Sequence, residues 1–166
     1  MIINIITLFP EIFSALNAGL LGQAIDRKDI TINLIDLRNF ALNEYGQVDS
    51  RPYGGGEGMV LMAKPLEEAI QSIPNVHESH LVNLSPQGKQ LNQAKAQELS
   101  KYTDLTIIAG RYEGIDERII NQFVDEEISI GDFVLSGGEF AALALIDACS
   151  RFIPGVIGNQ KSVELD

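Results

Sequence analysis

Apolar residues in this chain fall into short runs that alternate with segments of helical periodicity. Runs typical of buried or half-buried strands occupy residues 1–7, 30–35, 80–84, 105–109 and 128–130. Between them, apolar side chains recur every three or four residues, which predicts helices at residues 10–21, 65–73, 92–100, 115–123 and 138–150. Strands that alternate with helices are typical of an α/β fold, in which helices cover both faces of a parallel sheet.

Two glycine-rich turns follow predicted strands in the second half of the chain. The first spans residues 110–118 and the second spans residues 129–139. α/β proteins bind ligands at the carboxyl ends of their parallel strands, where glycine lets the backbone approach a ligand closely. Tyr112, Glu113 and Asp132, with Glu139, would add polar and aromatic contacts. The pattern predicts a small-molecule site at these turns, and the acidic run 125–127 is expected to form a solvated face.

The longest loop, residues 48–59, contains four glycines between positions 54 and 58. Glycine loses the most conformational freedom on ordering, so a flexible hinge is one interpretation. We favour a binding loop whose bare backbone lies against a flat base, with Arg51 available for phosphate and Tyr53 for stacking. The loop lacks the Gly-Lys-Ser/Thr ending of a phosphate-cradling loop, which argues against nucleoside triphosphate hydrolysis. A shorter Pro-Gln-Gly segment after the third strand is either an ordinary turn or part of the ligand site.

Composition narrows the class of protein. The 166 residues carry a formal net charge of −11, which argues against a protein that binds nucleic acid over its whole surface. A single cysteine, Cys149, lies in an apolar helical stretch and is expected to be buried and inert. The two histidines, His77 and His80, give no support for a histidine-rich metal site. No apolar stretch approaches the length of about 20 residues that spans a bilayer, so we expect a cytoplasmic protein without membrane contact.

Six motifs occur in order along the chain. They are Leu8-Phe9-Pro10-Glu11, Arg51-Pro52-Tyr53-Gly54-Gly55-Gly56, Leu84-Ser85-Pro86-Gln87-Gly88, the turn 110–118, the turn 129–139, and Ser150-Arg151-Phe152-Ile153-Pro154-Gly155-Val156. Together they resemble the TrmD family of bacterial tRNA (guanine-N1)-methyltransferases, from end to end of the chain. The resemblance implies the SPOUT fold with a C-terminal trefoil knot, and a homodimer with its active sites at the subunit interface. It also implies methyl transfer from S-adenosylmethionine to N1 of guanine 37 in tRNA, when guanine also occupies position 36.

The resemblance implies a cofactor site made of three loops. Its residues would be Leu84, Ser85, Pro86, Gln87, Gly110, Tyr112, Glu113, Ser129, Ile130, Gly131, Asp132, Phe133, Val134, Leu135, Gly137 and Gly138. The apolar members can sandwich adenine while backbone groups bind its edges. Glu113 could help to hold the cationic sulfonium, and the two last glycines would leave room for a bent methionine arm.

The resemblance also implies a substrate loop and a catalytic pair. The substrate-binding residues would be Arg51, Tyr53, Gly54, Gly55, Gly56, Gly58 and Met59. Asp166 would accept the N1 proton of guanine, and Arg151 would stabilise the negative charge that develops towards O6. Without the resemblance, Arg151 would be a cation at a helix C-terminus and Asp166 a solvated tail residue. The family also implies Mg²⁺, for which the sequence reveals no ligand set.

The domain organisation follows from the same resemblance. Residues 1–150 would form the catalytic domain that binds S-adenosylmethionine, and residues 151–166 would begin a linker to a C-terminal tRNA-binding domain that this chain lacks. We therefore expect the 166-residue chain to dimerise and bind S-adenosylmethionine but to methylate tRNA poorly or not at all. One departure is the acidic or neutral stretch at residues 43–47, where family members often carry basic residues.

Two other classes of function stay open at this level. One is a related SPOUT enzyme that methylates a ribose 2′-hydroxyl of RNA, and the other is a non-catalytic module that binds adenosine-like ligands. A nicotinamide dehydrogenase is disfavoured because no Gly-x-Gly-x-x-Gly follows the first strand.

Overall fold

The computed structural model describes residues 1–158 and contains a five-stranded sheet with helices on both faces. The strands are β1 (Ile2–Thr7), β2 (Thr31–Asp36), β3 (Asp49–Ser50), β4 (Val60–Leu61), β5 (His80–Gln90), β6 (Asp104–Ile108) and β7 (Glu126–Ser129). The α-helices are α1 (Gly19–Asp26), α2 (Ala63–Gln71), α3 (Gln93–Leu99), α4 (Glu117–Phe123) and α5 (Glu139–Ser150). Three 3₁₀ helices occupy Pro10–Asn17, Leu37–Phe40 and Val76–Glu78. The predicted α/β class is confirmed.

The five-stranded sheet has the order β2-β1-β6-β5-β7, and all of its pairings are parallel. In the middle of the sheet β1 pairs with β6, and the register joins Ile2 to Asp104. The carboxyl ends of all five strands consequently lie along one edge. The segments that follow β6 and β7 at this edge are the two glycine-rich turns in which the sequence predicts a ligand site.

Each face of the sheet carries its own apolar core. Alternate residues of a strand point to opposite faces, so Ile5 packs in one core and Ile6 in the other. The first core takes in α1, α3 and α5, and the second takes in α2 and α4. The inward residues predicted for α2, Leu66, Ala69 and Ile70 among them, are buried in the second core.

The single helix predicted at residues 10–21 is wrong, because the chain breaks there. A 3₁₀ helix ends at Asn17, and α1 begins at Gly19 after an extended Ala18 with φ −101° and ψ 155°. Gly22 explains how the two segments fit, since a side chain there would collide with the backbone carbonyl of Asn17. Helical spacing continues across the break, so periodicity alone could not locate it.

β5 is longer than the predicted strand at residues 80–84. Leu84 and Lys89 both lie opposite Ile128 of β7, so the four residues between them leave the ladder and return to it. The segment predicted as a turn after a strand is therefore an excursion within one strand. Earlier in the chain, β3 and β4 form a short antiparallel ribbon, which the sequence did not predict, and the glycine-rich loop connects them.

The segment that follows α5 contacts the domain. Val156 is buried in the first core, and Phe152 and Ile153 pack against it. The Arg27 guanidinium also donates a hydrogen bond of 2.9 Å to the carbonyl of Gly155. No helix in residues 1–158 is long and apolar enough to cross a membrane. The trefoil knot stays a prediction.

Candidate functional site

A cavity of about 560 Å³ opens at the carboxyl edge of the sheet, between β5, β6 and β7. Three segments form most of its wall: the excursion at residues 84–87, the turn at residues 110–115 and the loop at residues 128–138. These are the three loops predicted to bind the cofactor. The volume and the mixed apolar and polar lining are those of a small-molecule site.

The residues predicted to bind the cofactor converge on this cavity. Those that line it are Leu84, Ser85, Pro86, Gln87, Gly110, Tyr112, Glu113, Ser129, Ile130, Gly131, Phe133, Val134, Leu135, Gly137 and Gly138. Asp132 is exposed and does not line the cavity. The sequence therefore identified the wall of the cavity, and the assignment of these residues to a cofactor stays a prediction.

Gly137 and Gly138 allow the second glycine-rich turn to pack closely against the first. A Cβ at Gly137 would collide with the side chains of Arg111 and Glu139, and one at Gly138 would lie 3.0 Å from the Ala109 Cα. The amide of Gly138 also donates a 2.7 Å hydrogen bond to the carbonyl of Gly110. These glycines join the two turns directly, and they also line the cavity. The room that they were expected to leave for a methionine arm stays a prediction.

A buried carboxylate fixes the same junction. Glu139 is fully buried, and the Nε of Arg111 donates to its Oε2 over 3.1 Å. The hydroxyl of Thr7, at the end of β1, donates to Oε1 of the same carboxylate over 3.1 Å. Arg111 lies over the Phe9 ring, 4.3 Å from its centroid. Glu139 was expected to contact a ligand, but in the structure it anchors both turns to β1.

The backbone of the first turn is strained at the cavity. Tyr112 adopts a left-handed conformation with φ +63°, although its side chain is bulky and half-exposed. Such a conformation costs of order 1–3 kcal/mol and persists when neighbouring contacts enforce it. Here those contacts are the junction with Gly138 and a hydrogen bond from the amide of Glu113 to the carbonyl of Met59.

The glycine-rich loop lies next to the cavity without lining it. The amide of Leu61 donates to the carbonyl of Gly114 over 3.0 Å, and the amide of Asp116 returns a 2.9 Å bond to the carbonyl of Leu61. Tyr53 is fully exposed, and Gly58 sits against the side chain of Glu113. β4 thus brings the predicted substrate loop to the rim of the predicted cofactor site.

Of the two predicted catalytic residues, only one falls among the described residues. Arg151 follows α5, is half-buried and does not line the cavity. Asp166 lies outside the described residues. Within residues 1–158 no group of three or more His, Cys, Asp or Glu side chains could hold a metal ion. The Mg²⁺ that the resemblance implied stays a prediction.

The acidic run at residues 125–127 is only partly solvated, because Asp125 is exposed while Glu126 and Glu127 are half-buried. The carboxylate of Asp125 accepts a 2.7 Å bond from the amide of Leu81, and Glu126 accepts bonds from His80 and Lys95 over 2.7 and 3.1 Å. Burial alone would raise the pKa of Glu126, but these two hydrogen bonds outweigh it and hold that pKa below its ordinary value. Strand β7 turns the side chains of Glu126 and Glu127 to opposite faces, so Glu126 pairs with Lys95 of α3 and Glu127 with Asn83 of β5.

Sequence reasoning missed two polar residues on the cavity floor. Asn83 is only 4% exposed, and its Nδ2 donates a 2.8 Å bond to Oε2 of Glu127. Its Oδ1 is buried and has no hydrogen-bond partner among the described residues. Both residues line the cavity. The available signal was an asparagine between apolar Val82 and Leu84 in a strand otherwise suited to full burial.

Comparison with known proteins gives a consistent result. The family model described as tRNA (Guanine-1)-methyltransferase TrmD matches residues 1–166. A tRNA (guanine-N(1)-)-methyltransferase of Buchnera aphidicola subsp. Acyrthosiphon pisum is 53% identical over 98% of this chain and 70% of its own length. The corresponding protein of Carboxydothermus hydrogenoformans is 49% identical over 98% of this chain and 64% of its own length.

A solved structure agrees with these relatives. The crystal structure of tRNA (m1G37) methyltransferase from Aquifex aeolicus superimposes with a TM-score of 0.87 and 46% identity, over 96% of this chain and 72% of that one. Across these three proteins the chain spans 64% to 72% of the relative's length, about two thirds.

Proposed function

Because the chain belongs to the TrmD family of tRNA (guanine-N1)-methyltransferases, we propose that it takes part in methyl transfer from S-adenosylmethionine to N1 of guanine 37 in tRNA. The single observation that carries this proposal is the cavity of about 560 Å³, on which three separate loops converge. The solved relative from Aquifex aeolicus is named as an m1G37 methyltransferase, and it shares this fold.

The cavity suits an adenosine ligand. Leu84 and Pro86 from one loop, with Ile130 and Leu135 from another, supply the apolar surface that a flat adenine requires. S-adenosylmethionine would supply an electrophilic methyl group at this site, and the three loops would hold and orient it.

The target guanine would enter from the glycine-rich loop. This loop is hydrogen-bonded through Met59 and Leu61 to the turn that walls the cavity, so a base lying against it would be next to the donor site. Tyr53 is exposed and free to stack on a base, and Arg51 is exposed beside it. Holding two reactants in contact is a large part of the catalysis of a group transfer.

The chemistry requires a base and a stabilising cation. Guanine N1 carries a proton at neutral pH, and a carboxylate must accept it before or during attack. We assign that role to Asp166. We assign to Arg151 a charge-assisted hydrogen bond to guanine O6, where negative charge develops.

We also propose that the protein works as a homodimer and that the site lies at the subunit interface. Phe133, Val134 and Leu135, consecutive on the cavity rim, are all exposed, as is Phe140 at the start of α5. An apolar stretch of this kind is typical of a surface that a partner covers.

Methyl transfer to tRNA transcripts that differ only at guanine 37 tests the proposal. In a chain extended to the length of its relatives, we expect radiolabel from S-adenosylmethionine to appear only in the transcript with guanine 37, and nucleoside analysis to identify the product as 1-methylguanosine. Arg151→Ala and Asp166→Ala should each lower the rate at least about 100-fold. Lys101→Ala, an exposed cation after α3, and Glu164→Ala are the matched controls and should change little. A 2′-O-methylated product, or adenosine binding without transfer in an extended chain, would overturn the proposal.

A further inference from the structure

Two tyrosine side chains in neighbouring loops are almost fully exposed. Tyr45 is 96% exposed, and Tyr53 is fully exposed. Tyr53 belongs to the proposed substrate loop, whereas Tyr45 lies on the preceding loop, residues 42–47, and has no part in the site described above. An aromatic ring this exposed can offer a face to another flat ring.

Hydrogen bonds fix the backbone of loop 42–47. The Oδ1 of Asn43 accepts bonds from the amides of Tyr45 and Gln47 over 3.1 and 3.3 Å, and the Nδ2 of Asn43 donates a 2.9 Å bond to Oε1 of Gln47. The amide of Leu42 donates to the carbonyl of Gln47 over 2.9 Å and closes the loop. An ordered backbone therefore presents Tyr45, so binding would order little more than its side chain.

Arg38 is an anchored guanidinium at the base of this loop. Its carbonyl accepts a 3.3 Å bond from the amide of Ala41, the residue that precedes the loop. Its Nε donates a 3.1 Å bond to the carbonyl of Leu8, and its guanidinium carbon lies 5.2 Å from the centroid of the Phe9 ring. These contacts orient the planar group, and no residue in 1–158 accepts a hydrogen bond from its two terminal nitrogens. Two such parallel donors suit a phosphate.

The charge of Arg38 is also uncompensated. Of the exposed arginines in the part of the chain that the structure describes, Arg27 and Arg118 pair with aspartates over 2.9 and 2.8 Å. Arg38 and Arg51 make no ion pair within residues 1–158. In a chain with a net charge of −11, an exposed arginine without an acidic partner is a local site for an anion.

Loop 42–47 is connected both to the cavity and to the substrate loop. Arg111 lines the cavity, and its guanidinium carbon lies 4.3 Å from the same Phe9 ring that Arg38 covers. The two guanidinium carbons can therefore be no farther apart than the sum of their distances to the ring centroid. At the other end of the loop, the side-chain amide of Gln47 donates a 3.4 Å bond to the carbonyl of Asp49 in β3, which leads into the substrate loop.

We infer that Tyr45 and Arg38 form a second contact with the RNA substrate, in which Tyr45 stacks on an unpaired base near the target guanine and Arg38 binds a backbone phosphate. This inference rests on the proposed function and adds two residues to the proposed substrate site. A single-stranded RNA loop offers unstacked bases, which proteins bind on aromatic side chains. Combining such a ring with a nearby cation is the usual way to hold a single strand.

The chemistry of loop 42–47 favours a base over other occupants. Its only charged residue is Glu44, which repels a phosphate, so Tyr45 is suited to a base rather than to the RNA backbone. Leu42 is its only aliphatic residue, so the loop lacks the contiguous apolar surface of a protein interface. Stacking also contributes affinity that does not depend on charge, which suits an acidic protein.

Binding of tRNA at a series of salt concentrations tests both contacts, in a chain extended to the length of its relatives. The probe is a transcript with guanine at positions 36 and 37, and fluorescence anisotropy measures its dissociation constant. We expect Tyr45→Ala to weaken binding roughly fivefold or more at every salt concentration, because a stacked base is lost. Tyr45→Phe, which keeps the ring, should bind like the wild type.

Arg38 should affect the salt dependence instead. Arg38→Gln keeps an N–H donor for the carbonyl of Leu8 but removes the charge. It should weaken binding about tenfold at low salt. It should also reduce the slope of log K against log salt by about 0.7, the value for one phosphate of a single strand. Arg38→Lys should keep the slope. Lys101→Ala is the matched control and should change neither quantity, because Lys101 is an exposed cation before β6, at the amino edge of the sheet.

Abasic nucleotides identify the stacked base. They are placed singly at each unpaired position of the anticodon loop other than 37. At one of these positions Tyr45→Ala should cause no further loss of affinity, because the ring has no base left to stack on. If Tyr45→Ala weakens binding of every abasic transcript as much as binding of the intact one, no base stacks on Tyr45 and the inference is wrong.

Two further measurements separate RNA binding from structural effects. Every variant should bind S-adenosylhomocysteine with wild-type affinity in calorimetric titration, since neither Tyr45 nor Arg38 lines the cavity. A loss of that affinity in Arg38→Gln would show that Arg38 acts on the cavity through Phe9, which contradicts the inference. A dimer weakened by Tyr45→Ala in sedimentation, with unchanged RNA affinity, would place the ring in a protein interface and would also contradict it.

The same experiments separate this inference from the proposed function. If the wild-type extended chain neither binds nor methylates the transcript, the proposed function fails. If it methylates the transcript while Tyr45→Ala and Arg38→Gln bind RNA normally, only the inference fails.

Discussion

At the scale of single residues, buried carboxylates hold the cavity in shape. Glu139 has no exposed surface, yet it accepts hydrogen bonds from Arg111 and Thr7 and so ties both turns to β1. A buried charge is tolerated when it is paired and fully hydrogen-bonded, as here. Cys149 contrasts with it: burial raises the pKa of its thiol to about 12, which leaves it protonated and inert, as the sequence predicted.

Glu126 should make stability depend on pH. Its carboxylate side chain is 15% exposed and is bound by His80 and Lys95, which lower its pKa in the folded state. A lowered folded pKa stabilises the protein above the unfolded pKa, and the stabilisation is lost as the pH falls through the folded value. We expect Glu126→Gln to lower the free energy of unfolding by about 2 kcal/mol at pH 7 and by much less in acid.

Urea denaturation at pH 7 and at a series of acidic pH values measures this difference. Glu98→Gln is the control, because Glu98 binds the same lysine but its side chain is 54% exposed. Glu98→Gln should lower the free energy of unfolding by less than about 0.5 kcal/mol at any pH. If Glu126→Gln lowered the free energy of unfolding by the same amount at pH 7 and in strong acid, the ionised carboxylate would not be the source of the stabilisation.

At the scale of elements, the contact between the two turns depends on the absence of one side chain. Gly138 begins the approach to α5 with φ −75°, a conformation open to any residue, so only space requires glycine there. A Cβ would lie 3.0 Å from Ala109 and Gly110. Gly138→Ala should therefore lower the free energy of unfolding by about 1–3 kcal/mol through overpacking, and it should weaken ligand binding by moving the turns apart.

Thermal unfolding and ligand titration of Gly138→Ala check both effects. Gly158→Ala provides the comparison, since no atom of residues 1–156 lies within 4 Å of the position where its Cβ would be. Gly158→Ala should change the free energy of unfolding by no more than about 0.5 kcal/mol. An alanine at position 138 that is tolerated as well as one at position 158 would show that the two turns do not need this close approach.

Elements could be predicted from the sequence where local and global preferences agree. α2 has Pro65 in its first turn and its apolar residues on one face, and it forms as predicted. The break at Ala18 could not be predicted, because it depends on how closely Gly22 approaches Asn17 in space. The continuation of β5 after its excursion depends on Ile128, far along the chain, and was missed for the same reason.

The candidate site shows the same division. Its glycine-rich turns are visible in the sequence because each directly follows a buried strand, which is where α/β proteins bind their ligands. The anchoring role of Glu139 is not visible, since its partner Thr7 lies 132 residues away in the sequence. Asn83 was missed because an orphaned acceptor can be recognised only once its neighbours are known.

At the scale of the whole molecule, charge and apolar surface point to different partners. With a net charge of −11, most of the surface repels the phosphates of tRNA. We therefore expect tRNA to contact small areas that carry a basic residue, such as the area around Arg51. The exposed apolar rim near the cavity suits a protein partner instead, which agrees with the proposed homodimer.

The apolar rim gives a test of assembly. Phe140 is 57% exposed on α5, and Phe140→Glu would place a charge in the proposed interface. We expect sedimentation to show a dimer for the wild type and dissociation at least tenfold more favourable for the variant. Leu34→Glu is the control, because Leu34 is 44% exposed on the edge strand β2, away from the cavity. Equal effects of both changes, or a monomeric wild type, would contradict the proposed dimer.

The pairing of β1 with β6 also affects how the protein is made. Ile2 is synthesised roughly 5–20 s before its partner Asp104, since ribosomes add about 5–20 residues per second. Until then the isoleucine-rich β1 can pair only with β2, and its other edge stays exposed to other nascent chains. The sheet therefore cannot close around its first strand until residue 104 and those after it have been made.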